Sequence, residues 1–304
     1  MNAPTVTRRD FLKVTGSLVT LAGLGGLFGT IGTAVAASGE AVDEEARGML
    51  IDLTRCTGCN SCARACKTAN NLPNADQVPD HLDSQAYSFV QVRQNEETGK
   101  DLFVKRQCMH CVVPGCASAC TVGALRKTAD GPVIYEAGKC IGCRYCQYAC
   151  PFGVPTYDWQ NPLGLIHKCE MCKDRLQAGE QPACAAACPV GALQFGRRKD
   201  LLVQAHARIN SNPDRYIDHV YGEHEAGGTS MLYLSGVPFD QVGLPELSEQ
   251  TVSHYAVGVM TKTPFVALSV ATVATGLHFA LRSRDHAHND ETETHPHTSD
   301  EAES

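Results

Sequence analysis

The sequence predicts an α+β chain, with short strands and short helices framing cysteine loops and one transmembrane helix near the C-terminus. Three observations lead there. Sixteen cysteines among 304 residues fall into four groups of four, with none left over. Short apolar runs lead into those groups at intervals along the chain. Residues 264–281 carry no formal charge over a length that spans a bilayer.

The groups are Cys56, Cys59, Cys62, Cys66; Cys108, Cys111, Cys116, Cys120; Cys140, Cys143, Cys146, Cys150; and Cys169, Cys172, Cys184, Cys188. The first and third read C-x2-C-x2-C-x3-C, the spacing of a bacterial [4Fe–4S] ferredoxin. A cubane cluster needs four soft thiolates at tetrahedral irons. A loop with a cysteine every third residue wraps three corners of one cube. The next cysteine, four residues on, starts a short helix and turns toward a second cube. Pro151 and Pro189 follow Cys150 and Cys188, fixing the backbone as the chain leaves. Sixteen thiolates suffice for four clusters.

Eight disulfides are one rival, but disulfide scaffolds are small and far denser in cysteine. Zinc is another, but zinc sites rarely run three cysteines at two-residue gaps, and this chain does so twice.

Taken in order, residues 1–36 read as a twin-arginine signal peptide. Arg8 and Arg9 precede a glycine-rich stretch uncharged from 14 to 39, and Ala34-Val35-Ala36 offers a cleavage site. The same stretch is long enough for an uncleaved anchor; its modest hydrophobicity and small-residue end favour the signal. A route for folded proteins lets clusters load before the chain meets an oxidising compartment, where free thiols tend to pair.

Residues 37–209 carry every cysteine. Residues 49–53, 102–104 and 132–135 are short apolar runs leading into groups. Gly123-Ala124-Leu125 and Gly191-Ala192-Leu193 repeat a step after two of them. Strand, cysteine loop, short helix and strand thus recur. Residues 72–97 read as an insertion. Residues 197–209 are helix-like, with Leu201, Leu202, Ala205 and Ile209 at helical spacing. Such a small core depends on its metal, so the cluster-free chain is not expected to fold.

Residues 210–262 are turn-rich, with a strand-like stretch at 231–234, and read as a strap. Residues 263–282 read as the transmembrane helix. Eighteen helical residues span about 27 Å, close to the ~30 Å hydrocarbon core. Arg282 and Arg284 follow it; with an exported body they lie on the inner side, as positive-inside expects. A buried soluble helix is the alternative, but no remaining domain follows to bury it. Residues 283–304 read as a disordered cytoplasmic tail. The tail's acidic residues Asp285, Asp290, Glu291, Glu293, Asp300, Glu301 and Glu303 account for the whole net charge of −7. His286, His288, His295 and His297 give it a metal-binding look, although a solvated tail is the simpler reading. No basic surface points to nucleic acid.

Five stretches carry a family resemblance: GMLIDLTRCTGCNSC, KRQCMHCVVPGC, CIGCRYCQYACPFGVPTYD, HKCEMCKDR and QPACAAACPVGALQFG. From residue 48 to about 282 the chain resembles the four-cluster iron–sulfur (beta) subunits of membrane-bound respiratory oxidoreductases. It is most similar to the hydrogenase-2 type, which combines its own twin-arginine signal with one C-terminal helix, and residues 221–247 look like that type's strap. It also resembles the formate dehydrogenase beta subunit, which usually lacks its own signal.

The resemblance implies two pseudo-symmetric bacterial-ferredoxin-like modules, each with two [4Fe–4S] clusters. The groups would pair first with fourth and second with third. Cys56, Cys59, Cys62 and Cys188 would hold one cluster, and Cys169, Cys172, Cys184 and Cys66 its neighbour. Cys108, Cys111, Cys116 and Cys150 would hold a third, and Cys140, Cys143, Cys146 and Cys120 a fourth. Thr121 departs from the proline many relatives place after the fourth cysteine, with no ligand lost.

The implied function is electron transfer between a periplasmic catalytic subunit, a nickel–iron uptake hydrogenase, and an integral membrane quinone-reactive subunit in anaerobic respiration. The cluster domain would sit on the periplasmic side of the inner membrane, and the C-terminus in the cytoplasm. The alternative partner is a molybdopterin enzyme such as formate dehydrogenase. The chain itself is expected to be non-catalytic. Every cysteine set is complete, so no iron is left open, and H-E-x-x-H, G-x-S-x-G, Rossmann and P-loop patterns are absent. His110, Arg144, His167, Lys168 and Lys173 flank the cysteines as candidate tuning residues, or as ordinary solvated and packing residues. His278 near the inner end of the helix offers a haem or quinone contact. A polar contact with a partner helix is the preferred reading, since one histidine cannot supply both axial ligands.

Overall fold

Strand β1 (Arg47–Asp52) is the middle strand of a three-stranded sheet. The computed structural model describes residues 45–292 except 97, 162 and 163. The proposed signal peptide and the end of the tail lie outside the described residues. The chain divides into two units, 1–252 and 253–304.

In the first unit β1 runs antiparallel to β8 (Leu193–Arg197) and parallel to β9 (Met231–Leu234). All of β9 is buried, as is β1 after Arg47. Strands covered on both faces read as continuous apolar runs, which explains MLI and MLYL. Side chains still alternate across the sheet. Leu50, Leu232 and Leu234 pack with Leu201, Ala205 and Ile209 of the helix at Arg198–Ser211. Met49, Ile51, Met231 and Tyr233 join the main core beside the cysteines. Gly48 allows the close approach of β9: a Cβ there would lie 2.4 Å from the Ser230 carbonyl oxygen.

The segment read as an insertion supplies β2 (Ser88–Gln94), which pairs in full register with β3 (Asp101–Gln107). The Asn95 carboxamide caps the connecting turn by accepting the Thr98 N–H at 2.7 Å. Two small ladders follow, β4 (Leu125–Lys127) with β5 (Val133–Tyr135) and β6 (Thr156–Tyr157) with β7 (Ile166–His167).

Short helices carry or follow the cysteine loops: α1 (Ser61–Ala69), α2 (Gly115–Ser118), α3 (Tyr145–Tyr148), α4 (Lys173–Gln177) and α5 (Ala183–Ala186). The helix at Arg198–Ser211 is α6. Helix α1 packs on α5, and α2 on α3. With β1 on β8 and β4 on β5, elements around the first group meet those around the fourth, and the second meets the third.

The stretch expected as a strap is built into this core. Besides β9, it contributes Tyr216, Val220, Tyr221, Phe239, Val242 and Leu244, all buried. Hydropathy alone missed this, because the apolar positions are scattered through turns rather than gathered in a periodic run.

Among the described residues the second unit holds one helix, α7 (His254–Thr292). Its apolar window is Ala256–His278, with none of it buried, and it is long enough to cross a membrane. The helix begins before the expected residue 263 and runs past 282. Pro264 lies inside it rather than at its start. Its hydroxyls bond back to the preceding turn: Thr261 to Val257, Thr263 to Val259, Ser269 to Phe265 and Thr272 to Leu268, at 2.8–2.9 Å. Such bonds satisfy polar groups within the helix, as a lipid surround requires.

Candidate iron–sulfur centres

All sixteen cysteines are free thiols. Four of them, Cys56, Cys59, Cys62 and Cys188, line one cavity together with Val90, Lys105 and Pro189. Cys66, Cys169, Cys172 and Cys184 line a second, with Ser88, Lys105, Gln107 and Met231. Cys120, Cys140, Cys143 and Cys146 line another, with Tyr135, Arg144 and Ile166. The three cavities are alike in size. The remaining four converge as well: Cys111 is pushed well up first by burial and then by Cys108, Cys150 and Cys116. Three members of each set are near one another in sequence, and the fourth arrives from a distant loop.

The loops turn through left-handed residues. Gly58 and Asn60 do so in the first group, and Gly142 and Arg144 in the third. Those turns aim amides at sulfur. Gly142 N–H donates to Cys140 Sγ at 3.4 Å, Met171 N–H to Cys169 Sγ at 3.3 Å and Ala124 N–H to Cys120 Sγ at 3.2 Å. Such bonds stabilise negative charge on a thiolate.

Burial works the other way. It pushes Cys66 up to about 11, Cys146 to about 11 and Cys116 to about 12. These thiols ionise readily only beside a cation, and a bound metal supplies one. Among the described residues no three of His, Cys, Asp and Glu converge closely enough for a single metal ion. Cysteines spread around a cavity suit a cluster better than the single tetrahedral point of zinc.

Two sets open to the surface at one member, Cys59 in the first cavity and Cys143 in the one lined by Cys120. Around Cys143 the side chains of Ile141, Tyr145, Tyr148 and Trp159 are exposed. The set of Cys66 and the set of Cys108 have no exposed cysteine.

The flanking residues differ in placement. His110 is fully buried, its Nδ1 accepting the Val133 N–H at 2.9 Å. Lys168, also buried, donates to the Val133 carbonyl and to Cys169 O. Both therefore belong to the core. Arg144 lies 4.1 Å over the Tyr157 ring and 4.3 Å over Trp159. His167 meets the Tyr87 hydroxyl at 3.2 Å, and Lys173 pairs with Glu170 at 3.1 Å. His278 closes the apolar window of α7.

Sequence reasoning missed Lys105 and Lys127. Lys105 is 2% exposed and lines two cavities. Burial alone would lower its pKa, but Cys184, Cys62, Cys66 and Cys169 outweigh burial and raise it. Lys127 donates to the His110 carbonyl at 2.9 Å and to Ser230 Oγ at 3.1 Å. A lysine in a short strand gives no sign of which face it takes.

Residues 100–198 match the family described as 4Fe-4S dicluster domain. A protein of Nitratidesulfovibrio vulgaris is 43% identical over 291 residues, covering 91% of this chain and 78% of the relative. The hydrogenase-2 operon protein HybA of Escherichia coli O157:H7 is 38% identical over 242 residues, 66% of this chain and 74% of that protein. The formate dehydrogenase-O iron-sulfur subunit of Escherichia coli is 31% identical over 277 residues, 85% and 91% of the two chains.

Proposed function

The chain belongs to the 4Fe-4S dicluster iron–sulfur subunits of the hydrogenase-2 and formate dehydrogenase kind, and from that premise we propose that it holds four [4Fe–4S] clusters and carries electrons between a periplasmic catalytic subunit and a membrane quinone-reactive subunit. The observation that carries the reading is the gathering of sixteen free cysteines into four sets of four. The ligand sets are those four, with Cys188, Cys66, Cys150 and Cys120 each crossing from another sequence group. The pairings of β1 with β8, β4 with β5, α1 with α5 and α2 with α3 support two pseudo-symmetric ferredoxin-like modules.

When bound, such clusters supply one-electron transfer at potentials set by charge, hydrogen bonds and exposure. The protein's part is to hold and insulate them. Its N–H groups donate to sulfur, its core shields the sets of Cys66 and Cys108, which have no exposed cysteine, and Cys59 and Cys143 leave the other two sets close to solvent. A relay needs this arrangement: contact with partners at the ends and shielding between them. The complete cysteine sets support a non-catalytic role.

The catalytic partner we favour is a nickel–iron hydrogenase, because Arg8 and Arg9 give the chain its own export signal. That signal also supports an outward-facing cluster domain, with α7 in the inner membrane and the C-terminus in the cytoplasm. Purification in mild detergent, with metal analysis and identification of bound subunits, tests the reading. About sixteen irons and as many acid-labile sulfides per chain are expected, together with a nickel-containing large subunit. A molybdopterin subunit would replace the hydrogenase with the formate dehydrogenase alternative. A colourless zinc protein would overturn the cluster assignment.

A further inference from the structure

Lys105 stands between two cysteine cavities. It projects from β3 into the first and second cavities alike, and it is 2% exposed. Its ammonium donates to Gln107 Oε1 at 3.1 Å, and no carboxylate among the described residues forms an ion pair with it. A buried ammonium with only a neutral amide for company is strongly disfavoured unless negative charge lies close by. The two cysteine sets are the source of that charge.

The position is enforced by a closed ring of hydrogen bonds. The Tyr233 hydroxyl donates to the Lys105 carbonyl at 2.8 Å. Its oxygen is thereby left to accept from Gln107 Nε2 at 2.9 Å. The Gln107 amide is then fixed with Oε1 toward the ammonium. Strand β9 supplies Tyr233 and β3 supplies the other two, so the ring is locked between two strands in the core. A charge held this way does not rotate away when its surroundings change.

We propose that Lys105 is a shared fixed charge for the clusters of the first and second cavities, raising the reduction potential of both. The inference rests on the cluster reading above. Reduction adds one negative charge to a cluster, and a nearby cation stabilises the reduced form more than the oxidised one. The set of Cys120 lacks this lysine in its lining, so its potential is not expected to depend on it. Lys105 therefore links the first two centres through one shared cation.

The test is a potentiometric titration followed by electron paramagnetic resonance on the whole complex, after iron and sulfide analysis. Lys105→Met removes the charge. Gln107→Glu keeps the lysine and neutralises its field with a near-isosteric carboxylate. Lys105→Arg retains the charge. In the first two variants, two of the four centres should become at least tenfold harder to reduce, which is 59 mV for a one-electron step. The other two centres should stay within twofold of wild type, as should all four in Lys105→Arg. If Lys105→Met does not assemble, Gln107→Glu decides alone. Unchanged midpoints, or equal shifts at all four centres, with iron content intact, would overturn the proposal and leave the cluster reading standing. A wild-type protein without iron would instead sink that reading and this one with it.

Discussion

Arg208 on α6 places its Nη1 3.1 Å from Asp52 Oδ2 at the end of β1. Asp52 is fully buried, and both of its oxygens are satisfied. Oδ2 also accepts the Tyr216 hydroxyl at 2.8 Å, and Oδ1 accepts Thr54 N–H at 3.1 Å and Thr54 Oγ1 at 2.7 Å. The carboxylate ties the strand before the first cysteine group to a helix well beyond the last. Removing one partner of such a pair leaves a charge without compensation and costs about 3–5 kcal/mol. Asp52→Ala should therefore shift the anaerobic denaturation midpoint strongly while leaving iron content at wild-type levels before denaturant is added. A midpoint equal to wild type would show that the pair contributes nothing.

Gly48 marks another tight point. A methyl group there meets the Ser230 carbonyl at 2.4 Å, which backbone cannot yield without parting β1 from β9. Gly48→Ala should destabilise the cluster domain by about 1–3 kcal/mol. Gly138→Ala, where nothing lies within 4 Å, is the matched control and should be near neutral. The two variants compared in one denaturation series check this.

The cross-over of cysteines makes a sharp contrast between neighbours in sequence. Cys169 and Cys188 belong to one sequence group but to different cavities. Cys188→Ala should remove the same paramagnetic signal as Cys56→Ala, and Cys169→Ala a different one shared with Cys66→Ala. Each loss should take about a quarter of the iron. Loss of the same signal from Cys169→Ala and Cys188→Ala would mean that sequence groups, not cavities, define the clusters.

Cluster removal is expected to separate the two units. The first owes its packing to elements that meet around thiols, and metal binding in such sites is folding energy. Helix α7 makes its own hydrogen bonds. Stripping iron with an oxidant and chelator in detergent should abolish the strand signal in circular dichroism while helical signal from α7 persists. Retention of the strand signal after complete iron loss would show that the fold stands without metal.

Much of the site was legible in the sequence because cluster ligation is written in local spacing. The loops, the short helices after them and the 231–234 strand were readable from cysteine intervals and apolar runs. What was not legible depends on distant partners. The strand at Ser88–Gln94 exists because β3 offers it seven register pairs; in isolation SFVQVRQ reads as part of an insertion. Residues 210–252 looked like a strap because turns hid their buried aromatics. Lys105 escaped notice because lysine is usually solvated, and only the cysteines that the fold gathers around it account for its burial. The sequence reads as a membrane helix from residue 263, yet α7 begins at His254.

The placement of β9 beside β1 has a consequence for timing. Among the described residues the first strand made is the central one, and its two neighbours are the last two strands synthesised. No nascent chain that stops short of Leu234 can close the sheet, however many cysteine loops have already emerged. Closure over such sequence separations is slow and leaves unpaired edges exposed while it waits. Completion of the sheet is thus a late event in synthesis, reached only after every cysteine loop has been made.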